Sequence, residues 1–254
     1  MTKFSANLGF LWNDIPLPDA IRAAKAAGFD AVECHWPYDT PVEDVASALT
    51  ETKFEMLGIN TIRGDVASGE NGLSALPNRV RDATAAIDQS IAYAAAIKCK
   101  SVHVMAGKSE GPEAQHCFVE NLRYACEQAA PHGIKILIEP LNRYDVPGYF
   151  LQTTAHAIAI IQEVGTPNIK LMFDCYHVYL MEGHLSYRIE KLMPHIGHIQ
   201  FAGAPGRRAP DTGEVAYDAI FNAIERLGYT QPLGAEYLTD GKTEQTLAWL
   251  KDRR

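Results

Sequence analysis

The chain has 254 residues, a formal net charge of −8 and a hydrophobic fraction of 47%. This fraction is sufficient for a sizeable core, whereas an acidic chain without clustered Lys and Arg argues against a nucleic-acid partner. No apolar run approaches the ~20 residues of a membrane helix, so we expect no membrane partner. Five cysteines without a Cys-x-x-Cys pair, and no secretory leader in residues 1–13, favour a cytoplasmic protein with reduced thiols.

Short apolar runs alternate with longer amphipathic segments along the chain, which predicts eight strands that are each followed by a helix. The predicted strands are Phe4–Leu8, Ala31–Cys34, Phe54–Ile59, Ser101–Met105, Lys135–Ile138, Ile169–Phe173, His198–Phe201 and Leu233–Ala235. The predicted helices are Leu17–Ala27, Val42–Thr50, Pro77–Ile97, Glu113–Ala130, Ala155–Val164, Leu185–Leu192, Tyr217–Leu227 and Thr243–Lys251.

This succession of strand–helix pairs continues without a linker or a break in composition. Such a pattern is typical of an all-parallel sheet covered by helices. Right-handed crossovers allow an open doubly wound sheet or a closed barrel. The count of eight favours an α/β fold with a single (β/α)8 TIM barrel, as one domain over residues 1–254.

Oxygen-bearing side chains lie at the ends of four consecutive predicted strands. They are Glu139, Asp174, Gln200 and Glu236. The C-terminal ends of barrel strands form one rim, where active sites lie. Carboxylates gathered at this rim repel one another unless a cation or raised pKa values compensate. Because oxygen donors suit hard cations, the sequence predicts a site for Mg²⁺ or Mn²⁺.

Several side chains near the same rim are candidates for binding an anionic substrate. His177 follows the sixth predicted strand closely, and His103 lies in the fourth, where a core histidine is the alternative. Arg63, Lys108 and Arg207 lie on predicted rim loops. For each of these cations, an ordinary surface charge is the alternative.

Around these residues, and over essentially the whole chain, the sequence resembles the hydroxypyruvate isomerase family within the xylose isomerase-like barrels. The segments that carry the resemblance are Ile138–Asn142, Asp145–Gly148, Phe173–His177, His198–Gln200, Pro205–Arg207 and Thr212–Glu214. A Gln at position 200 resembles the residue that this family has there, whereas related ketose 3-epimerases have His at that position. The segment Gly72–Pro77 is similar to the related 2-oxo-tetronate isomerases.

The resemblance implies an aldose–ketose isomerase of carbohydrate and glyoxylate metabolism that interconverts hydroxypyruvate and tartronate semialdehyde (2-hydroxy-3-oxopropanoate) through a cis-enediolate. It implies that Glu139, Asp174, Gln200 and Glu236 bind the metal, and that Glu139 and Glu236 also transfer the proton. The expected partner is a small anionic sugar acid, and a homo-oligomer is left open.

Alternative functions on the same barrel also stay open. A 2-oxo-tetronate isomerase or a ketose 3-epimerase would use the same metal site. A non-catalytic sugar-acid binding protein would need no proton-transfer pair. A phosphodiesterase of the endonuclease IV type would need a His-rich zinc cluster and a basic groove, and the sequence shows neither pattern.

Overall fold

A computed structural model of the chain describes residues 2–253, and one parallel eight-stranded sheet organises them. The strands are β1 (Phe4–Asn7), β2 (Ala31–Glu33), β3 (Ile59–Asn60), β4 (Ser101–His103), β5 (Lys135–Ile138), β6 (Ile169–Asp174), β7 (Ile196–Phe201) and β8 (Leu233–Ala235). Their order in the sheet is β2-β1-β8-β7-β6-β5-β4-β3, as in a (β/α)8 barrel. The predicted fold is therefore confirmed.

Helices follow the strands and cover the outside of the sheet. They are α1 (Leu17–Ala27), α2 (Val42–Thr52), α3 (Val80–Ala96), α4 (Gly111–Ala129), α5 (Thr154–Val164), α6 (Cys175–Glu182), α7 (Leu185–Leu192), α8 (Tyr217–Arg226) and α9 (Ala248–Lys251). In α1, Pro18 stands in the first turn, Ile21 and Ala24 are buried, and Gly28 ends the helix at a φ of 97°. Among the described residues, no helix is both long and apolar enough to cross a membrane.

The barrel closes between β2 and β3 through the segment that precedes β3. Met56 forms an isolated parallel bridge with Val32, and the Val32 N–H group donates to the Glu55 carbonyl at 3.1 Å. The predicted strand Phe54–Ile59 is therefore wrong in its bounds, because the paired strand is only Ile59–Asn60. An apolar run looks the same in the sequence whether its backbone pairs fully or forms a single bridge.

Some predicted helices also need correction, while the remaining elements agree to within two residues. The segment Pro77–Ile97 begins with a 3-10 turn at Pro77–Arg79 before α3. The segment Thr243–Lys251 is a 3-10 turn at Thr243–Thr246 followed by α9. Helix α6 was not predicted, because its eight residues are apolar on most sides and show no amphipathic period.

An aromatic cluster packs the outer face of the barrel against α8 and α9. Phe4 in β1 is 1% exposed. Its ring centroid lies 5.8 Å from Phe201, 5.3 Å from Phe221 and 5.1 Å from Trp249, with edge-to-face geometry in each pair. These contacts attach the first strand to the last helix and thereby hold the two ends of the barrel together.

Replacing Phe4 tests this packing. We expect Phe4→Ala to lower the free energy of unfolding by roughly 3–5 kcal/mol, because the cavity would lie among rigid aromatic neighbours. Denaturant titration followed by circular dichroism measures the loss. Tyr187→Ala is the matched control, since Tyr187 is 62% exposed and its removal should change stability by about 0.5 kcal/mol or less. Equal effects of the two substitutions would contradict the packing role of Phe4.

Candidate active site

The ends of β5 to β8 place the predicted metal ligands at one rim. Glu139 follows β5, Asp174 ends β6, Gln200 lies in β7 and Glu236 follows β8. The strand register pairs Asp174 with Gln200, and none of the four is more than 6% exposed. Asp174 also caps α6, because its Oδ1 accepts from the Tyr176 N–H group at 2.8 Å. The cap fixes this carboxyl group and leaves Oδ2 for the site.

Among the described residues, a single arginine pairs with the carboxylates of this site. Nη2 of Arg207 lies 2.6 Å from Glu236 Oε2 and 3.4 Å from Asp174 Oδ2. Its guanidinium carbon lies 4.9 Å from the ring centroid of Phe10 and 5.2 Å from that of Tyr176. One guanidinium offsets one of three carboxylate charges, so the ionised site retains a negative excess that a divalent cation would neutralise.

The carboxyl groups differ in their proton affinity because their surroundings differ. Burial raises the pKa of Glu139 well above its usual range, and the charges of Glu236 and Asp174 raise it further. Burial also raises the pKa of Asp174, against the opposing effect of Arg207. For Glu236, burial is outweighed by Arg207 and by His35, which lies 2.8 Å from Oε1, so the pKa is lowered.

Several buried polar atoms around the site have no hydrogen-bond partner within residues 2–253. They are Oε1 of Glu139, Oε1 of Gln200, Nε2 of His177 and both ring nitrogens of His103. Leaving such an atom unpaired costs about 1–3 kcal/mol. Glu139, Asp174 and His177 offer ligand atoms within 4.8 Å of one another. The orphaned atoms and this convergence fit a site that receives a cation and a polar ligand.

His177 presents a hydrogen-bond donor to the site. Its Nδ1 accepts from the backbone N–H group of Asn142 at 3.1 Å and lies 2.7 Å from Asn142 Nδ2. A backbone N–H group can only donate, so Nδ1 carries no proton. Burial, aided by Arg207, lowers the pKa of His177 well below its usual value and keeps the ring neutral. The single ring proton is therefore on Nε2, which lies 3.6 Å from Asp174 Oδ2.

His103 is the second neutral imidazole of the site. Its Nδ1 lies 3.6 Å from Oε2 of Glu139. Burial lowers the pKa of His103 to about 4, although the charge of Glu236 opposes this shift. The ring is thus neutral near pH 7, with one nitrogen able to donate and the other able to accept.

The predicted substrate-binding cations occupy different places. Arg207 lies among the carboxylates, whereas the guanidinium of Arg63 stacks 4.0 Å from the ring centroid of Trp36. Trp36 adjoins His35, with ring centroids 4.9 Å apart, so Arg63 lies on the Glu236 side of the rim. Lys108 is exposed on the loop that follows β4. Within residues 2–253, neither Arg63 nor Lys108 forms an ion pair.

Asn7 and Glu33 contact the site, although the sequence analysis assigned no role to them. Asn7 Nδ2 donates to Oε1 of Glu236 at 2.8 Å. Glu33 contacts His198 Nε2 and accepts from Gln200 Nε2 at 3.3 Å. Both residues end their strands, β1 and β2. The rule that predicted the four metal ligands, a polar side chain at a strand end, therefore applies to the position of these two residues as well.

The fold and the site together define the class of protein. The sequence model of the xylose isomerase-like TIM barrel family matches residues 21–253, and the chain belongs to this family. It is similar over nearly its full length to two named isomerases. The 2-oxo-tetronate isomerase of Pectobacterium atrosepticum is 41% identical over 98% of this chain and 97% of its own. The hydroxypyruvate isomerase of Escherichia coli is 35% identical over 100% of both chains.

A solved structure agrees with this assignment at the level of the fold. The crystal structure of an AP endonuclease of family 2 from Brucella melitensis matches with a TM-score of 0.95 and 37% identity, over 100% of both chains. The full-length similarity to named isomerases establishes that this chain is an isomerase.

The raised pKa of Glu139 predicts a pH-dependent stability of the metal-free chain. The folded state retains a proton that the unfolded chain releases above its ordinary value of 4.5. The stability contributed by this proton is complete below that pH and is lost as the pH rises towards the raised pKa, by up to about 1.4 kcal/mol per pH unit. The lowered pKa of Glu236 has the opposite effect, because its contribution to stability is lost only as the pH falls below the usual value of 4.5.

Glu139→Gln should remove the part of this dependence that Glu139 contributes, while the raised pKa of Asp174 continues to act in both chains. In EDTA, we expect the variant to melt at a higher temperature than the native chain. This difference in melting temperature should be larger at about pH 8 than at about pH 5. Differential scanning calorimetry measures both differences. An equal difference at the two pH values, or a lower melting temperature of the variant at the higher pH, would contradict the raised pKa.

Proposed function

We propose that this isomerase acts on short 2-oxo sugar acids and depends on a divalent metal ion. The preferred reaction interconverts hydroxypyruvate and tartronate semialdehyde. The observation that supports the proposal most is the buried rim set of three carboxylates and one amide, with one arginine to offset their charge. For stability alone, apolar residues of similar volume would serve better than these buried charges.

Glu139, Asp174, Gln200 and Glu236 would hold the ion. Their oxygen atoms suit Mg²⁺ or Mn²⁺. His177 is near enough to replace Gln200, but its Nε2 carries the proton, so we assign it as a hydrogen-bond donor to substrate. When bound, the ion supplies Lewis-acid polarisation of the substrate carbonyl and neutralises charge on its oxygen.

The residues of the chain would move one proton between neighbouring carbons. Hydroxypyruvate has its carbonyl at C2 and its hydroxyl at C3. Removal of a C3 proton gives a cis-enediolate. Protonation at C2, together with transfer of the C3 hydroxyl proton to the C2 oxygen, gives the aldehyde and a C2 hydroxyl, so no external oxidant or reductant is needed. Glu139 and Glu236, which follow β5 and β8, are the carboxyl groups for these transfers. His103 and His177 would bind substrate oxygens.

Arg63 is the cation that we assign to the substrate carboxylate. Its guanidinium is oriented by Trp36 and forms no ion pair within residues 2–253. Arg207, by contrast, is already paired with Glu236 and Asp174. Lys108, exposed on the rim, would add to the positive potential. A carboxylate-binding cation favours sugar acids over the neutral substrates of the ketose 3-epimerase alternative.

A 2-oxo-tetronate is the second candidate substrate. The relative from Pectobacterium atrosepticum, 41% identical, bears the name 2-oxo-tetronate isomerase. A 2-oxo-tetronate shares the carboxylate, the C2 carbonyl and the C3 hydroxyl with hydroxypyruvate, and it adds one hydroxymethyl group at C3. The same proton transfer therefore serves both acids, and only the room beyond C3 distinguishes them.

We expect no nucleic-acid substrate, although the Brucella melitensis structure bears an endonuclease name. The net charge is −8, and strong binding to phosphates needs a basic surface. The described part of the chain holds one group of three potential metal ligands, Glu139, Asp174 and His177. This group contains a single histidine, whereas an endonuclease of the endonuclease IV type would need a His-rich zinc cluster. The five cysteines are free and buried, which agrees with the proposed cytoplasmic location.

Metal removal and substitution of the glutamates test the reaction scheme. EDTA is expected to abolish turnover of hydroxypyruvate, and Mg²⁺ or Mn²⁺ should restore it. Glu139→Gln and Glu236→Gln should each lower kcat by roughly 10²–10⁴-fold, because each removes a proton-transfer group. Glu182→Gln is the control, since this carboxylate accepts from Thr154 at 2.8 Å outside the site. Full activity of either site variant would contradict the two-glutamate scheme.

A substrate panel tests the assignment of Arg63. Arg63→Met should raise KM for hydroxypyruvate and for 2-oxo-tetronate by roughly 10- to 100-fold, because the variant loses a charge-assisted hydrogen bond to the substrate carboxylate. Arg81→Met, an exposed change on α3, is the control. An unchanged KM would remove Arg63 from the site. Turnover of neutral ketoses, with none of either acid, would replace the proposal with an epimerase.

A further inference from the structure

Glu33 is a fourth buried carboxylate, which adjoins the three of the rim set without belonging to it. It is 3% exposed at the end of β2. Its Oε2 contacts Nε2 of His198, and its Oε1 accepts from Nε2 of Gln200 at 3.3 Å. A Cβ atom at position 234 would lie 2.2 Å from Glu33 Oε1 and 2.9 Å from Gln200 Cγ, so Gly234 leaves the space that both side chains occupy.

The amide of Gln200 has two ends with opposite preferences. Its NH₂ group donates to anions, whereas only its oxygen can bind a cation. The register pairs Gln200 with Asp174, so the amide lies beside a carboxylate that would attract the NH₂ group. In that orientation the nitrogen would face the site and the ligand oxygen would be lost. A competing acceptor is needed on the other side of the amide.

Glu33 supplies this acceptor. Because its Oε2 is engaged by His198, the carboxylate is held with Oε1 towards the Gln200 nitrogen. Asn7 supports the same arrangement, since its Nδ2 lies 3.5 Å from Glu33 Oε1 and donates to Glu236 Oε1 at 2.8 Å. The amide oxygen of Gln200, in contrast, is buried and has no hydrogen-bond partner in the described part of the chain.

We propose that Glu33 is a positioning residue for the metal site. By accepting from the amide nitrogen of Gln200, it directs the amide oxygen to the position where an ion would bind. This inference rests on the proposed metal dependence and adds a residue to it. Partners that orient a metal ligand in this way typically contribute 10–100-fold to metal affinity.

Titration of the EDTA-stripped chain with Mn²⁺, followed by electron paramagnetic resonance of the free ion, tests the proposal. Glu33→Leu removes both acceptor oxygens at similar volume and should raise the Kd for Mn²⁺ by roughly 10–100-fold. Gln200→Glu provides the rescue, because a carboxylate offers an oxygen in either orientation. In the Gln200→Glu background, Glu33→Leu should not raise the Kd for Mn²⁺, because no amide remains to be oriented and because the repulsion between the two carboxylates is removed.

Two further variants separate positioning from folding. Glu182→Leu, a change of the same chemistry at the end of α6, should leave the Kd for Mn²⁺ as in the native chain. If Glu33→Leu does not fold, as judged by its melting curve in EDTA, Glu33→Gln takes its place. That variant has one acceptor for both His198 and Gln200, so it should also weaken Mn²⁺ binding and be rescued by Gln200→Glu.

The outcomes distinguish this inference from the proposed function. A native-like Kd in folded Glu33 variants would overturn the positioning role. An equal loss of affinity in the Gln200→Glu background would also overturn it, because Glu33 would then act through the fold. If the native chain itself fails to bind Mn²⁺, the metal-dependent function is wrong and the inference is overturned together with it.

Discussion

Repulsion among Glu139, Asp174 and Glu236 is the constraint on which the rest of the site depends. The strand ends bring these carboxylates together in a buried place, and Arg207 is the cation that faces two of them. Burial favours the protonated form of Glu139, while Arg207 favours the ionised form of Glu236. A divalent ion would relieve the repulsion, so the charges that destabilise the metal-free barrel are those that favour metal binding.

Neighbouring groups determine which atom each side chain presents. The backbone of Asn142 fixes the proton of His177 on Nε2, and Glu33 holds the nitrogen of Gln200. These supports come from β2 and from the loop after β5, on different sides of the barrel. The pairing of β1 with β2 and with β8 therefore does more than bury a core, because it brings the supporting strands beside the strands that carry the proposed metal ligands.

The parts predicted from the sequence are those that one strand or helix specifies by itself. Alternating apolar segments predict the barrel, and a polar residue at a strand end predicts Glu139 or Glu236. The same rule would place Glu33 and Asn7 at the rim, but it does not predict their contacts, because these depend on β1 lying between β2 and β8. Nor does the sequence reveal that Arg207, at a φ of 54° in a returning loop, pairs with Asp174.

The proposed function makes one specific chemical demand of a substrate: a carbonyl with a carboxylate on one side and a hydroxyl-bearing carbon on the other. The most direct test is proton NMR of hydroxypyruvate in D₂O with the Mg²⁺-loaded chain. We expect loss of the C3 hydrogen signal and appearance of the aldehyde signal of tartronate semialdehyde, with dihydroxyacetone unchanged under the same conditions. Conversion of dihydroxyacetone while hydroxypyruvate keeps its C3 hydrogens would contradict the proposed function.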